Sequence, residues 1–301
     1  MIIRNAAVMV AGVLSVAVLA GCSTTAGAGT NGEATDKKLA KLVPEKYRQS
    51  GVIKGASSFT APPLYYYAAG NKPSGMVVDM VELAAGKLGL KVQWAQMPYD
   101  GIIPALNSGR IDVSGSQFSA TKANLKVAST VSPWMESDSV VVAADNPLGI
   151  EKVEDLCGRS IGYTAAAAPD HAVVTSLIKW CRSHGHPAPI RRALKDAHAA
   201  TLAIQSGQVD THLVGYTTAR YSAEKSNLEV VLEGKFARRA SGVVLAKDNA
   251  ALAKALAAGF KEAMKDGSYQ KVMKKWGDKG NALDQVFMNE TGPAWADILE
   301  K

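Results

Sequence analysis

The chain has 301 residues, 47% of them apolar and 20% charged, with a net charge of +7. This is a globular composition, long enough for two compact units, and it excludes a chain disordered throughout. The lysines and arginines are scattered, with no basic run and no interleaving of basic and aromatic residues along one element, so the charge reads as a solvated surface beside an anionic cell envelope and no nucleic-acid partner is expected.

In chain order, Met1–Asn5 bring a single positive charge, and residues 6–20 (AAVMVAGVLSVAVLA) form an apolar run of signal-peptide length, too short to span a bilayer. The run ends in LAGC, Leu19–Cys22. Two readings stand: a plain secretory signal with an incidental cysteine, and a lipoprotein signal over residues 1–21 in which Cys22 is acylated and becomes the first mature residue. The cysteine stands where cleavage would fall, which favours the lipoprotein. Residues 22–36 then read as a flexible tether of small polar residues. The expectation is an extracytoplasmic protein held to the bacterial cell membrane through lipid.

A polar helix is expected over Lys37–Tyr47, then a strand at residues 51–58, a helix at 76–89 with Met76, Met80, Leu83 and Leu88 on one face, and a strand at 91–97. A short helix after Asp100 ends at Gly109, and a strand follows at 110–117. A β-rich run at 137–145 precedes a second round of the same alternation: strand 159–164, helix 168–185, strand 189–194, helix 196–208, strand 209–215. A last strand at 241–247 is followed by helices at 248–267 and 268–277. Alternating strand and helix indicate mainly parallel sheets with crossover helices, hence an α/β fold. Two such units, with a hinge near Val140–Ala143 and Gly242–Leu245, suit a small-molecule cleft between them.

With Cys22 assigned to lipid, Cys157 and Cys181 remain, an even pair that suggests a disulfide in an oxidising compartment. Closing a loop of about 25 residues would contribute roughly 3 kcal/mol. The competing reading gathers Cys181, His184 and His186 as metal ligands, but CRSHGHP matches no common zinc spacing. No metal and no cofactor is expected.

Residues 74–94 (SGMVVDMVELAAGKLGLKVQW), 99–113 (YDGIIPALNSGRIDV), 153–163 (VEDLCGRSIGY) and 266–277 (DGSYQKVMKKWG) together resemble the family 3 extracellular solute-binding proteins of ABC importers, from about Gly51 to Gly277. The resemblance implies a two-lobed periplasmic-binding-protein-like (type II) fold: lobe one from residues 37–142 plus 240–285, lobe two from 143–239, and a tail over 286–301. It also implies no enzyme activity, a small polar or nitrogenous solute such as an amino acid, and permease and ATPase subunits as partners of a monomer. The pairing of Cys157 with Cys181 is similar to a variant of the family.

The likeness also shows departures. Amino-acid binders of the family carry Thr-x-x-Arg after the third strand, the arginine gripping the ligand's carboxylate; here the phrase is TKAN and the position is Asn124. An aspartate that often takes the ligand's amino group is matched by Gly215, and a Gly-Thr-Thr loop by Ala166–Ala168. Tyr99 matches the family's stacking aromatic, and Ser116, Gln117 and Ser119 lie on the third strand. The expected ligand set is Phe59, Tyr99, Ser116, Gln117, Phe118, Ser119, Asn124, Trp134, Tyr163, Thr164, Gly215 and Tyr216. Without the zwitterion clamp these aromatics suit a neutral or cationic organic solute; a standard amino acid held by other donors is the competing reading, and core packing competes for Trp134 and Phe118. Tyr65–Tyr67 read as packing residues and Asp79 as structural.

Rival functions carry weaker signals. Gly158–Gly162 (GRSIG) matches the nucleophile-elbow pattern, but Ser160 begins a strand where that motif needs a strand before it and a helix after. A dehydratase on the same fold must hold a dicarboxylic substrate, which the missing arginine disfavours. A sensor that binds solute without import is not distinguishable in the sequence.

Overall fold

A computed structural model describes residues 37–290 except 166 and 167; the candidate signal, tether and lipidated Cys22 lie outside the described residues. Pro44, which has no N–H to continue a helix, divides the expected first helix into α1 (Lys37–Ala40) and α2 (Glu45–Ser50). Strand β1 (Val52–Ser57) leads into a hairpin-like sheet the sequence did not announce, β2 (Thr60–Ala61), β3 (Tyr65–Ala68) and β4 (Lys72–Ser74). Helix α3 (Met76–Lys87) then buries Met76, Val77, Met80, Val81 and Ala84, and β5 (Lys91–Gln96) returns parallel to β1. Helix α4 (Ile102–Asn107) connects to β6 (Val113–Ser114), which takes the other side of β1.

The short strand β7 (Phe118–Ser119) is followed by α5 (Lys122–Val127), a helix opened by Thr121, whose hydroxyl accepts from the Asn124 N–H. Then come the long β8 (Ser129–Ala143), β9 (Ser160–Thr164), α6 (Ala168–Ser183), β10 (Ile190–Leu194), α7 (Ala197–Gln205), β11 (Thr211–Gly215), α8 (Tyr216–Ser226) and β12 (Leu228–Leu245). Helices α9 (Ala250–Lys265) and α10 (Ser268–Lys275) and strand β13 (Ala282–Met288) close the described chain.

The fold has two lobes. In lobe one, α3 and α9 cover one face of β5-β1-β6, so closely that a Cβ on Gly259 would strike the Ala84 backbone, and Ile102 and Leu106 of α4 pack on the other face. Trp94 lies over Gly55, where a Cβ would come within 2.5 Å of its ring. The ion pairs Lys87–Asp266 (2.8 Å) and Lys275–Asp79 (2.6 Å) tie α3 to the C-terminal helices, and the Trp276 indole N–H also donates to Asp79, so Asp79 is structural. In lobe two, β10, β9, β11, β8 and β12 lie side by side. Val173, Val174 and Leu177 of α6 pack on one face, Ala203 and Ile204 of α7 and Ala219 of α8 on the other.

Strands β8 and β12 belong to both lobes. On β8, Trp134 packs into the core of α3 and α9, while Val140 packs with α6; on β12 the corresponding change lies between Ala237 and Val243. On β8 the polar residues Glu136–Ser139 lie between Trp134 and Val140. The β8–β12 register slips between Val231 and Phe236, between Phe236 and Arg239 and again between Ser241 and Val243. Such bulges bend and twist a ribbon.

Cys157 and Cys181 form a disulfide with a Cα–Cα distance of 5.8 Å, fastening α6 to the turn before β9. Among the described residues no group of three or more histidine, cysteine or acidic side chains is placed to hold a metal, and no helix is long and apolar enough to cross a membrane.

Candidate functional site

The site is built where the two crossing strands pass between lobes. Side chains two apart on a strand share a face, and directly paired residues of antiparallel neighbours share it too. Glu136 and Asp138 are two apart on β8, Arg239 pairs with Glu136 from β12, and Ser241 pairs with Ser119 of β7. Five polar side chains therefore stand together on one face, with Gly215 of β11 paired to Asp138 beside them.

Arg239 is the centre of this group. Its Nη2 lies 3.0 Å from Glu136 Oε2 and 3.1 Å from Asp138 Oδ1, its Nε donates to Ser119 Oγ at 2.9 Å, and its Nη1 donates to the Ala237 carbonyl at 2.8 Å. Glu136 Oε2 accepts in addition from Ser119 Oγ at 3.0 Å and Ser241 Oγ at 3.2 Å. The arginine is 3% exposed, Asp138 is fully buried and Glu136 is 19% exposed. Burial pushes the Asp138 carboxyl up, an effect the adjacent guanidinium opposes. Two carboxyl groups thus share one guanidinium.

Beside it lies a narrow cleft lined from lobe one and the crossing strand by Leu64, Gln117, Met135, Glu136 and Asp278 and from lobe two by Gly215, Tyr216, Thr217 and Thr218. Asp278, nearly fully buried, accepts from Asn281 Nδ2 at 2.8 Å and from the Thr217 hydroxyl at the start of α8. Burial pushes its carboxyl up to about 7, with Glu136 adding in the same direction against those hydrogen bonds. Tyr99, 44% exposed, stacks on Phe118 with ring centroids 4.7 Å apart and donates its hydroxyl to the Gln117 carbonyl at 3.1 Å. Burial around their hydroxyls pushes the Tyr65 and Tyr99 phenols up, and Glu136 adds in the same direction.

Of the residues named from the sequence, Gln117, Gly215 and Tyr216 line this cleft; Ser119 and Tyr99 are bonded to its lining, and Phe118 supports Tyr99. Trp134 lies in the lobe-one core against Phe260 and reaches the site only through its indole N–H, which donates to Gln117 Oε1 at 3.0 Å. Phe59 is buried between Tyr67 and Trp94, Ser116 bonds to Ser57 Oγ, and Tyr163 packs into the lobe-two core; Thr164 ends β9 away from the lining. Asn124 turns its amide back to the Ser119 carbonyl at 2.8 Å. Ala166 and Ala167 lie outside the described residues. Ser160 opens β9 and gives its hydroxyl to Asp210, a strand-start contact with no helix behind it. Glu136, Asp138, Arg239, Thr217 and Asp278 escaped the sequence reading. Glu136 and Asp138 alternate on β8, but their partner Arg239 comes from β12 across a register slip, which no local pattern announces.

Residues 53–279 match the model of the bacterial extracellular solute-binding proteins, family 3. The chain belongs to that family. It is 27% identical over 267 residues to the L-cystine-binding protein TcyJ of Escherichia coli (strain K12), covering 88% of this chain and 93% of that protein. Among solved structures it is similar to an ancestral arginine-binding protein bound to glutamine, with a TM-score of 0.60, 25% identity and coverage of 76% and 98% of the two chains. An ancestral amino-acid-binding protein described as a precursor of cyclohexadienyl dehydratase shares the fold, with a TM-score of 0.63 at 22% identity over 78% of this chain and 99% of the other.

Proposed function

We propose that this family member is the solute-capturing lipoprotein of an ABC importer, anchored at Cys22 and holding a small amino-acid-like or other nitrogenous solute between its lobes. The observation that carries the reading is the cleft at the strand crossing, lined from both lobes by Glu136, Gln117, Gly215 and Tyr216. A solute there touches both lobes only when they are closed, so binding shifts the protein toward the closed state. Lobe one comprises residues 37–142 plus 240–285 and lobe two 143–239, with the bend at the register slips of β8 and β12; the division of the hydrophobic clusters along those strands supports this. Relatives named for cystine and arginine favour an amino acid or a close derivative. The protein acts as a monomer beside permease and ATPase subunits at the outer face of the membrane.

Thermal-shift screening of the protein against amino acids, polyamines, betaines and small heterocycles tests this. A ligand at about 100 times its Kd stabilises the folded state by about 2.7 kcal/mol, a readily measured rise in Tm. No shift with any of them overturns the reading.

A further inference from the structure

We propose that Glu136 is the specificity-determining residue of the cleft, its Oε1 receiving a protonated nitrogen (an ammonium or guanidinium group) of the solute. This rests on reading the cleft as the solute site.

The two carboxylate oxygens of Glu136 are used very differently. Oε2 accepts from Ser119 Oγ, Ser241 Oγ and both Nε and Nη2 of Arg239. Oε1 accepts no hydrogen bond among the described residues and is turned toward Gly215, where a Cβ would stand 3.3 Å away. Glu136 and Gly215 both line the cleft, so the missing side chain at 215 leaves Oε1 open to it. Oε1 keeps its acceptor sites, and a carboxylate held through its other oxygen by two hydroxyls and a guanidinium is already oriented for a cationic donor.

The surrounding charge selects the same class. Arg239 is 3% exposed and directed to Glu136, Asp138, Ser119 and the Ala237 carbonyl, so it does not present its guanidinium to a solute anion. Asp278 lines the same cleft and answers the N-terminal end of α8 through Thr217, which is where a solute carboxylate would otherwise gain from the helix dipole. An anionic group at Oε1 would face the Glu136 carboxylate itself.

Isothermal titration calorimetry on the full chain decides the matter, with L-arginine and L-glutamine as amino-acid probes and three five-carbon probes differing only in their ends: cadaverine, 1,5-pentanediol and glutarate. Wild type is expected to bind the cations and to rank cadaverine above the diol and glutarate. Glu136→Gln, which keeps the hydroxyl hydrogen bonds but removes the charge, should weaken cation binding at least about tenfold. Glu136→Asp retains the charge set back from the cleft and should fall between the two. A cation affinity unchanged in Glu136→Gln, or glutarate ranked first, overturns the role of Glu136 while leaving solute binding intact. Should Glu136→Gln fail to fold by circular dichroism, Glu136→Asp carries the test, and affinity equal to wild type overturns the proposal. Binding of no probe and of no common amino acid by wild type overturns the solute-binding reading itself.

Discussion

Arg239 and Glu136 face each other in direct register across β12 and β8, Nη2 3.0 Å from Oε2, at the point where both strands leave one lobe for the other. The pair is buried, and Asp138 closes on the guanidinium from the second side. Removing one partner leaves uncompensated buried charge, which is far more costly than the net worth of the pair. Arg239→Ala should therefore destabilise the protein by about 3–5 kcal/mol. Urea denaturation followed by circular dichroism measures this, and a loss below about 1 kcal/mol would show that water reaches the two carboxylates.

Tyr99→Ala should change folding little, since nearly half of the residue is exposed, yet abolish or strongly weaken solute binding in calorimetry. The ring forms the aromatic wall on Phe118 and its hydroxyl holds the Gln117 carbonyl at the lining. Unchanged affinity would refute its place in the site.

Asn124→Arg should improve the affinity for solutes that carry a carboxylate, so that L-arginine gains on agmatine, its decarboxylated counterpart. The substitution exchanges the Asn124 amide bond to the Ser119 carbonyl, worth about 1 kcal/mol, for a cation near the third strand. Calorimetry with both compounds is the measurement, and no relative gain would mean that the Glu136–Arg239 cluster has reshaped the pocket beyond repair at one position.

Removing the disulfide by the double substitution of Cys157 and Cys181 to serine should cost about 3 kcal/mol, by freeing a loop of 24 residues' separation in the unfolded chain. Comparison of Tm for the variant and the parent checks it. An equal Tm would show that the lobe-two core alone holds α6 in place.

Asp278 makes stability depend on pH. Its folded carboxyl titrates near 7 and the unfolded one near 3.8, so between these values the folded state keeps a proton that the unfolded state has released. Stability from this group accordingly falls as pH rises from about 4 to about 7 and is level above, by at most about 4 kcal/mol. His212, whose burial lowers it to about 4, works in the opposite direction, losing stability as pH falls below 6.5. The difference between wild type and Asp278→Asn isolates the first effect. The asparagine variant should gain on wild type progressively from pH 4 to pH 7 in denaturant titrations, and a constant difference would refute it.

Helical periodicity and the repeated strand–helix alternation were sufficient for the two α/β lobes, because apolar side chains at regular spacing can be buried in few ways. They located α3, α6, α9 and α10 and the parallel strands. The paired cysteines announced the bond that fastens α6. Motif likeness reached Gln117, Tyr99, Gly215 and Tyr216, which lie at or beside the cleft.

The charges of the site were decided only by tertiary structure. Glu136 and Arg239 are 103 residues apart in the chain, and nothing in either neighbourhood states that β8 and β12 will pair in that register. An arginine and two acids stand together at the strand crossing, the arginine turned to those acids and not to the cleft. Pairing across distant strands depends on global packing, whereas helix and strand periodicity are local properties of the chain. The same holds for Trp134, an aromatic whose sequence position suits a ligand wall as well as a core, and which the packing of α3 and α9 claims for the core.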